Sequence, residues 1–267
     1  MLLSTLRLRN FPEDKKDEFP WSLPLIQNLE ELQFEKNISF FVGENGSGKS
    51  TILEAIAAYT EVPIAGSMRM EDDQSLAGAN SLADYLSLRF SEKTYHGFFT
   101  RAEDFIGFSR NIKKQISDLD KEIEELKEGW TGGDMKLALG PIEGEKQQLI
   151  KRYSHYLEAM SHGEGFLKFF MSRITAKGLY LIDEPEAALS PTRQLSLLSL
   201  IMEKVKKTGA HFIIATHSPI MMSVPDSEVF YFQDGKISKI DYQETEHFQM
   251  TKMILENPES IFKNLIA

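Results

Sequence analysis

The sequence has no cysteine, which excludes disulfides, thiolate metal sites and cysteine nucleophiles. It also lacks any apolar run near the ~20 residues needed to cross a bilayer, and Arg7 and Arg9 interrupt the opening segment before a signal-like core can develop. Together these gaps predict a cytoplasmic location and no membrane partner. Positive charge is in deficit. With 30 Lys and Arg against 40 Asp and Glu, the formal charge is −10, and the field of the whole molecule repels nucleic acid. What remains for a nucleic-acid contact is local: Arg7 with Arg9, Lys113 with Lys114, Lys151 with Arg152 and Lys206 with Lys207, pairs that are ordinarily solvated helix faces. The rest of the composition, 42% hydrophobic and 26% charged over 267 residues, suits one large globular domain or two modest ones.

Hydrophobic patterning then divides the chain. Residues 2–9 alternate as a strand does, and Ile38-Ser-Phe-Phe-Val42 is a short apolar run that leads into glycine-rich sequence. The segment 51–60 has helix-forming residues at helical spacing, whereas 66–81, rich in Gly, Ser, Asp and Met, reads as a loop. From 111 to 127, Ile112, Ile116, Leu119, Ile123 and Leu126 follow heptad steps. Gly129, Gly132, Gly133, Gly140 and Pro141 break that pattern, and a second stripe at Leu149, Tyr153, Tyr156 and Met160 predicts an antiparallel helical hairpin over 111–160. Two and a half heptads are short for a coiled coil, which favours a hairpin packed on the body over a projecting arm. Leu179–Asp183 and His211–Ala215 read as strands buried on both faces, joined by a helix over 191–207. That βαβ unit predicts a parallel sheet with a right-handed crossover. Asp234-Gly235 between two apolar runs predicts a hairpin over 228–241, and 243–266 reads as helix broken near Pro258.

The chemistry concentrates in these breaks. Gly43-Glu44-Asn45-Gly46-Ser47-Gly48-Lys49-Ser50 matches the G-x-x-x-x-G-K-[ST] phosphate loop, in which glycines let successive backbone N–H groups turn inward around an anion. Lys49 is placed to neutralise β- and γ-phosphates and Ser50 to ligate Mg²⁺, with the helix from Thr51 adding the positive end of its dipole. Asp183-Glu184 puts two carboxylates at the carboxyl end of a strand, where ligands sit in open α/β sheets. Asp183 there suits Mg²⁺ and Glu184 suits an attacking water. The bland alternative for each is a glycine-rich turn or a strand end.

Taken in order, GENGSGKST at 43–51, SHGEG at 161–165, LYLIDEPEAALSP at 179–191 and ATHSP at 215–219 resemble the ordered motifs of ABC-type ATPases. The likeness is strongest to small soluble bacterial ATPases related to the RecF and structural-maintenance-of-chromosomes group, and it covers nearly the whole chain. It implies an α/β P-loop fold, a mixed sheet flanked by helices, with residues 1–267 as one ABC-type domain carrying an inserted helical lobe at 67–160.

The resemblance further implies ATP as substrate with Mg²⁺, and Glu184, His217 and Lys49 as the residues acting on it. His217 matches the switch histidine that reads the γ-phosphate, and residues 185–191 match the loop that couples two sites. Ser161 and Gly163 match a signature loop that one subunit presents to the other's nucleotide, so a homodimer is implied. Here the sequence departs from transporter relatives, keeping the serine and second glycine of their signature only; a serine N-cap of an ordinary helix is the alternative reading. The family's glutamine has no clear equivalent: Gln74, Gln115, Gln147 and Gln148 lack a preceding strand, and Arg101 or Glu103 stands nearest its place. Arg9 is a further candidate for nucleotide contact. The resemblance implies a role with nucleic acid or in phage defence; an ATP-dependent switch that recruits an effector protein is the alternative, and the nucleotide-binding subunit of a transporter a further one.

Overall fold

The computed structural model describes residues 1–64, 77–92, 94, 96–162 and 164–266. In chain order its elements are β1 (Leu3–Leu8), α1 (Pro24–Gln27), β2 (Leu32–Gln33), β3 (Ile38–Gly43), α2 (Lys49–Thr60), α3 (Ala77–Ala83), β4 (Leu86–Phe90), β5 (Gly97–Arg101), α4 (Ala102–Gly129), α5 (Met135–His162), α6 (Glu164–Arg173), β6 (Leu179–Asp183), α7 (Pro191–Thr208), β7 (His211–Ala215), α8 (Pro219–Met222), β8 (Glu228–Gln233), β9 (Lys236–Ile240), α9 (Glu246–Glu256) and α10 (Pro258–Ile266). The chain divides into two compact units: residues 1–102 with 174–267, and residues 103–173.

The first unit is an α/β body holding two sheets. A six-stranded sheet runs β5-β6-β7-β3-β8-β9, with every neighbouring pair parallel except β8–β9. β3, β6 and β7 are buried at every position, as apolar runs flanked by sheet on both sides must be. A three-stranded antiparallel sheet, β2-β1-β4, completes the unit. Phe41, Ile213, Ala215, Phe230 and Phe232 from one face of the large sheet pack with Ile52, Leu53 and Ile56 of α2 and with Leu3, Leu6 and Trp21 in one core. Burying such side chains contributes about 1.5–3 kcal/mol each. Phe98, Tyr180 and Phe212 line up on the opposite face, their ring centroids 5.2 and 5.1 Å apart. The two sheets are joined at β7, where the buried His211 accepts from the backbone N–H groups of Leu2 (3.3 Å) and Leu3 (3.2 Å) through Nδ1.

The turn at Asp234-Gly235 has both residues at positive φ, 51° and 69°, and closes the expected hairpin between β8 and β9. The tail is two helices that meet at Asn257-Pro258. Of the segment read as a loop at 66–81, residues 66–76 lie outside the described residues, and 77–83 form α3 instead, with Leu82 in the core.

The second unit contains α4, α5 and α6. Ile112 and Ile123 of the heptad stripe are buried, and Lys146 of α5 pairs with Asp120 of α4. The hairpin turn spans residues 130–134, with Gly133 at φ +97°. Gly140 and Pro141 do not break the chain, contrary to the sequence expectation; they lie inside α5, which departs from helical geometry at Tyr153 instead. Pro141 removes only the hydrogen bond to the carbonyl of Leu137, and that residue is 81% exposed, so water can take its place.

Candidate active site

The carboxyl ends of β3, β6 and β7 converge, and each carries a motif. After β3 the loop from Gly43 turns into α2. A Cβ at Gly43 (φ +154°) would meet the carbonyl oxygen of Phe232 at 2.3 Å, and Gly46 and Gly48 hold φ of +78° and +96°. These are conformations that favour glycine, and they shape the loop for an anion. Lys49 is buried and donates from Nζ to the carbonyls of Gly43 and Glu44, both at 2.8 Å. Burial pushes its pKa down, opposed by the charges of Glu184 and Asp183. Glu44 and Asn45 are exposed on the loop, while the Ser47 hydroxyl is buried without a partner among the described residues. α2 begins at Lys49, two residues before Thr51.

β6 delivers Asp183, whose Oδ1 accepts from the hydroxyl of Ser50 at 3.2 Å. Burial raises its pKa to about 7, against the Ser50 hydrogen bond and with the neighbouring charges of Glu184 and Glu54 adding to the rise. A hydroxyl and a buried, electron-rich carboxylate in contact form the oxygen set that a divalent cation takes, so Ser50 and Asp183 fit Mg²⁺. Glu184 follows in the left-handed region (φ 47°, ψ 53°), and its backbone N–H donates to Ala215 at 2.9 Å. That kink directs its side chain toward β7, where Nε2 of His217 lies 3.4 Å from Oε1.

Three partners were not read from sequence as site residues. Glu186 accepts through Oε1 from the backbone N–H of His217 (2.6 Å) and the hydroxyl of Thr216 (2.7 Å), fixing the loop after β7 to the turn after β6. It lies inside the quoted motif at 179–191, but only the fold shows what it holds. Glu54, one helical turn after Ser50, pairs with Arg101. Arg101 ends β5 in register with Asp183, so the candidate for the glutamine's place stands beside the Ser50–Asp183 pair, while Glu103 begins the second unit within α4. His247, from α9, lies 2.9 Å from His217. No local signal marks it, since 30 residues separate the two.

The remaining predicted residues are Ser161, Gly163 and Arg9. Ser161 is in the last turn of α5, and Gly163 lies outside the described residues. Arg9 is exposed, and its backbone N–H donates to Tyr85. Beside the phosphate loop a cleft of about 370 Å³ opens between Pro24, Gly46, Gly235 and Glu246. No helix among the described residues is long and apolar enough to cross a membrane.

The model of an "AAA domain" family matches residues 22–128, and that of a second family, "AAA domain, putative AbiEii toxin, Type IV TA system", matches residues 144–223. The chain is 26% identical to the thiamine import ATP-binding protein ThiQ of Cereibacter sphaeroides, over 67% of this chain and 69% of that protein. It is also 26% identical to an uncharacterised ABC transporter ATP-binding protein of Haemophilus influenzae, over 73% and 69%. Among solved structures it is similar to the Smc head domain of Pyrococcus furiosus (14% identity, 97% and 100% coverage, TM-score 0.44) and to cbiO1 of Clostridium perfringens (15%, 96% and 96%, TM-score 0.40). The phosphate loop, the Asp183-Glu184 strand end, the two family models and the curated relatives together support an ABC-type P-loop ATPase. It is an ATP-hydrolysing enzyme.

Proposed function

We propose that the chain binds Mg·ATP and works by closing head-to-tail on a second copy of itself, hydrolysis reopening the pair. The observation that carries this reading is the convergence of Lys49, Ser50, Asp183, Glu184 and His217 at one edge of the sheet, each held by a neighbour that a nucleotide would replace. Lys49 would leave two loop carbonyls for β- and γ-phosphate oxygens, and the loop N–H groups from Gly43 to Thr51 would wrap the phosphates. Ser50 and Asp183 would hold Mg²⁺, which when bound supplies charge neutralisation of the phosphates. Glu184 would accept a proton from the attacking water, and His217 would contact the γ-phosphate. Glu186 keeps that histidine's backbone in place. Ser161 and Gly163 of one copy would complete the site of the other, a serine hydroxyl and glycine N–H sufficing to hold an anion.

The process this cycle serves belongs to a cytoplasmic protein engaged with nucleic acid or in defence, in keeping with the toxin–antitoxin description of the second family model. Turnover stimulated by DNA and weakened by salt would mark that role. A regulatory switch would instead recruit an effector protein that is retained with ATP whether or not hydrolysis occurs. The names of the curated relatives favour a third reading, the nucleotide-binding subunit of an importer, which co-purification with a membrane protein would reveal. The deciding experiment is the solution mass of Glu184→Gln by light scattering. A monomer that becomes a dimer only with Mg·ATP, and loses that response when Ser161→Arg is added, supports the shared site. A constant mass with demonstrable nucleotide binding removes the signature assignment.

A further inference from the structure

Among the ionisable groups at the carboxyl edge, His247 reaches the switch histidine from outside every motif. Its Nε2 is 2.9 Å from Nδ1 of His217, with the two rings 5.0 Å apart and tilted by 55°. It is not there by the chance swing of a surface side chain. Thr245, fully buried, caps α9 by accepting from the N–H of Phe248 (3.3 Å) and places its hydroxyl 3.3 Å from the sulfur of Met222 in α8. α8 begins two residues after His217, so the first turn of α9 is fixed to the segment that carries the switch histidine.

The positions of the protons follow from the partners. A neutral imidazole has one N–H and one bare nitrogen. Both rings are held toward neutrality: burial, then the charge of Lys49, pushes each pKa below its usual value. Glu184 opposes this at His217, and Glu246 and Glu44 oppose it at His247. Nε2 of His217 lies 3.4 Å from the carboxylate of Glu184, a charge contact and not a formed hydrogen bond, and a group that only accepts favours the one proton on that nitrogen. Nδ1 is then bare and needs a donor, and Nε2 of His247 is the atom in reach. That leaves Nδ1 of His247 without a proton, and this nitrogen is buried with no partner among the described residues. The opposite assignment would set the bare Nε2 of His217 against a carboxylate and leave a buried N–H unsatisfied on His247, which costs more.

Building on the reading of His217 as the residue facing the γ-phosphate, we infer that His247 is a positioning residue of the ATPase site: by donating from Nε2 to Nδ1 of His217 it keeps Nε2–H of the switch histidine pointed at Glu184 and the nucleotide. The C-terminal helix thereby sets the tautomer on which the site depends.

The test begins with the full-length, nucleotide-free protein labelled with ¹⁵N, using long-range proton–nitrogen correlations of the imidazoles at pH 7.5. Both His217 and His247 are expected as Nε2–H tautomers with bare Nδ1. A His217 carrying its proton on Nδ1, or on both nitrogens, overturns the inference without any reference to turnover. Kinetics supply the second arm. His247→Leu should lower kcat by about 3- to 10-fold, the worth of one hydrogen bond, while KM for ATP changes by less than about 2-fold. His247→Gln, whose side-chain amide can donate from nearly the same place, should recover most of that loss. Equal kcat in the two variants would overturn the role assigned to His247. A protein that shows the tautomer pair yet turns over no ATP would instead count against the reading of the site.

Discussion

β7 has a histidine at each end, and the two have opposite fates. His211, at the amino end, is fully buried, and its Nδ1 is committed to the backbone N–H groups of Leu2 and Leu3. Burial lowers its pKa to about 3, so it stays neutral in the folded chain. His217, just beyond the carboxyl end, is paired with side chains only, Glu184 and His247. At the amino edge His211 is closed off, whereas the carboxyl edge holds Lys49 on loop carbonyls, Ser50 on Asp183 and one imidazole on another. Polar groups at the first edge stabilise; those at the second keep one another occupied until a better ligand arrives.

The sharpest way to break this contrast is at Glu184. Glu184→Gln should slow ATP hydrolysis by about 10²- to 10⁴-fold, the usual worth of a general base, while nucleotide affinity stays within a few-fold. Phosphate release and nucleotide titration read the two quantities, and an equal fall in both would mean that Glu184 binds rather than reacts. Asp183→Asn should abolish more than about 90% of turnover by weakening the cation site, yet stabilise the nucleotide-free protein. The sign follows from linkage: the folded-state pKa of Asp183, about 7, lies above the ordinary 3.8, so its contribution is full below the unfolded value and lost as pH rises through 7. At pH 8 the charged, buried carboxylate therefore costs roughly 2–4 kcal/mol that asparagine avoids, measurable by denaturant unfolding at pH 8 and pH 5. A variant less stable than wild type at pH 8 would show that Asp183 serves structure after all.

At the other edge the expected changes reverse. His211→Phe leaves the buried N–H groups of Leu2 and Leu3 without an acceptor and should lower stability by about 2–4 kcal/mol at pH 7, with kcat per folded molecule unchanged. Its pH dependence is the smaller effect. Because the folded pKa is depressed to about 3, wild-type stability from this group is present above 6.5 and lost as pH falls below it. The gap between wild type and variant should thus narrow by about 1.4 kcal/mol per pH unit below 6.5. A gap that does not change with pH would mean that His211 is charged in the folded state.

Local patterns made much of this legible in advance. β3, β6 and β7 are unbroken apolar runs, the phosphate loop is contiguous, and Asp234-Gly235 announces its turn within two residues. The small sheet was not legible, because β1 pairs with the distant β4, Leu3 meeting Phe90 and Leu8 meeting Leu86, and only the closed chain sets that register. α5 runs through Gly140 and Pro141 because an exposed helix survives the loss of one hydrogen bond. Glu54 and His247 follow the same rule as β4. Each meets its partner across a long stretch of chain, so nothing in its neighbourhood distinguishes it from a solvated residue.

The left-handed backbone at Glu184 sets the course by which such a site would decay. A glutamate there resists its own φ, and glycine or asparagine would accept that φ more readily, glycine by about 1 kcal/mol. A gene copy released from the need to hydrolyse would therefore gain stability by losing this side chain first. Duplicates that keep the phosphate loop but carry glycine or asparagine at position 184 would be binders that have retired from turnover, with the fold itself having rewarded the change.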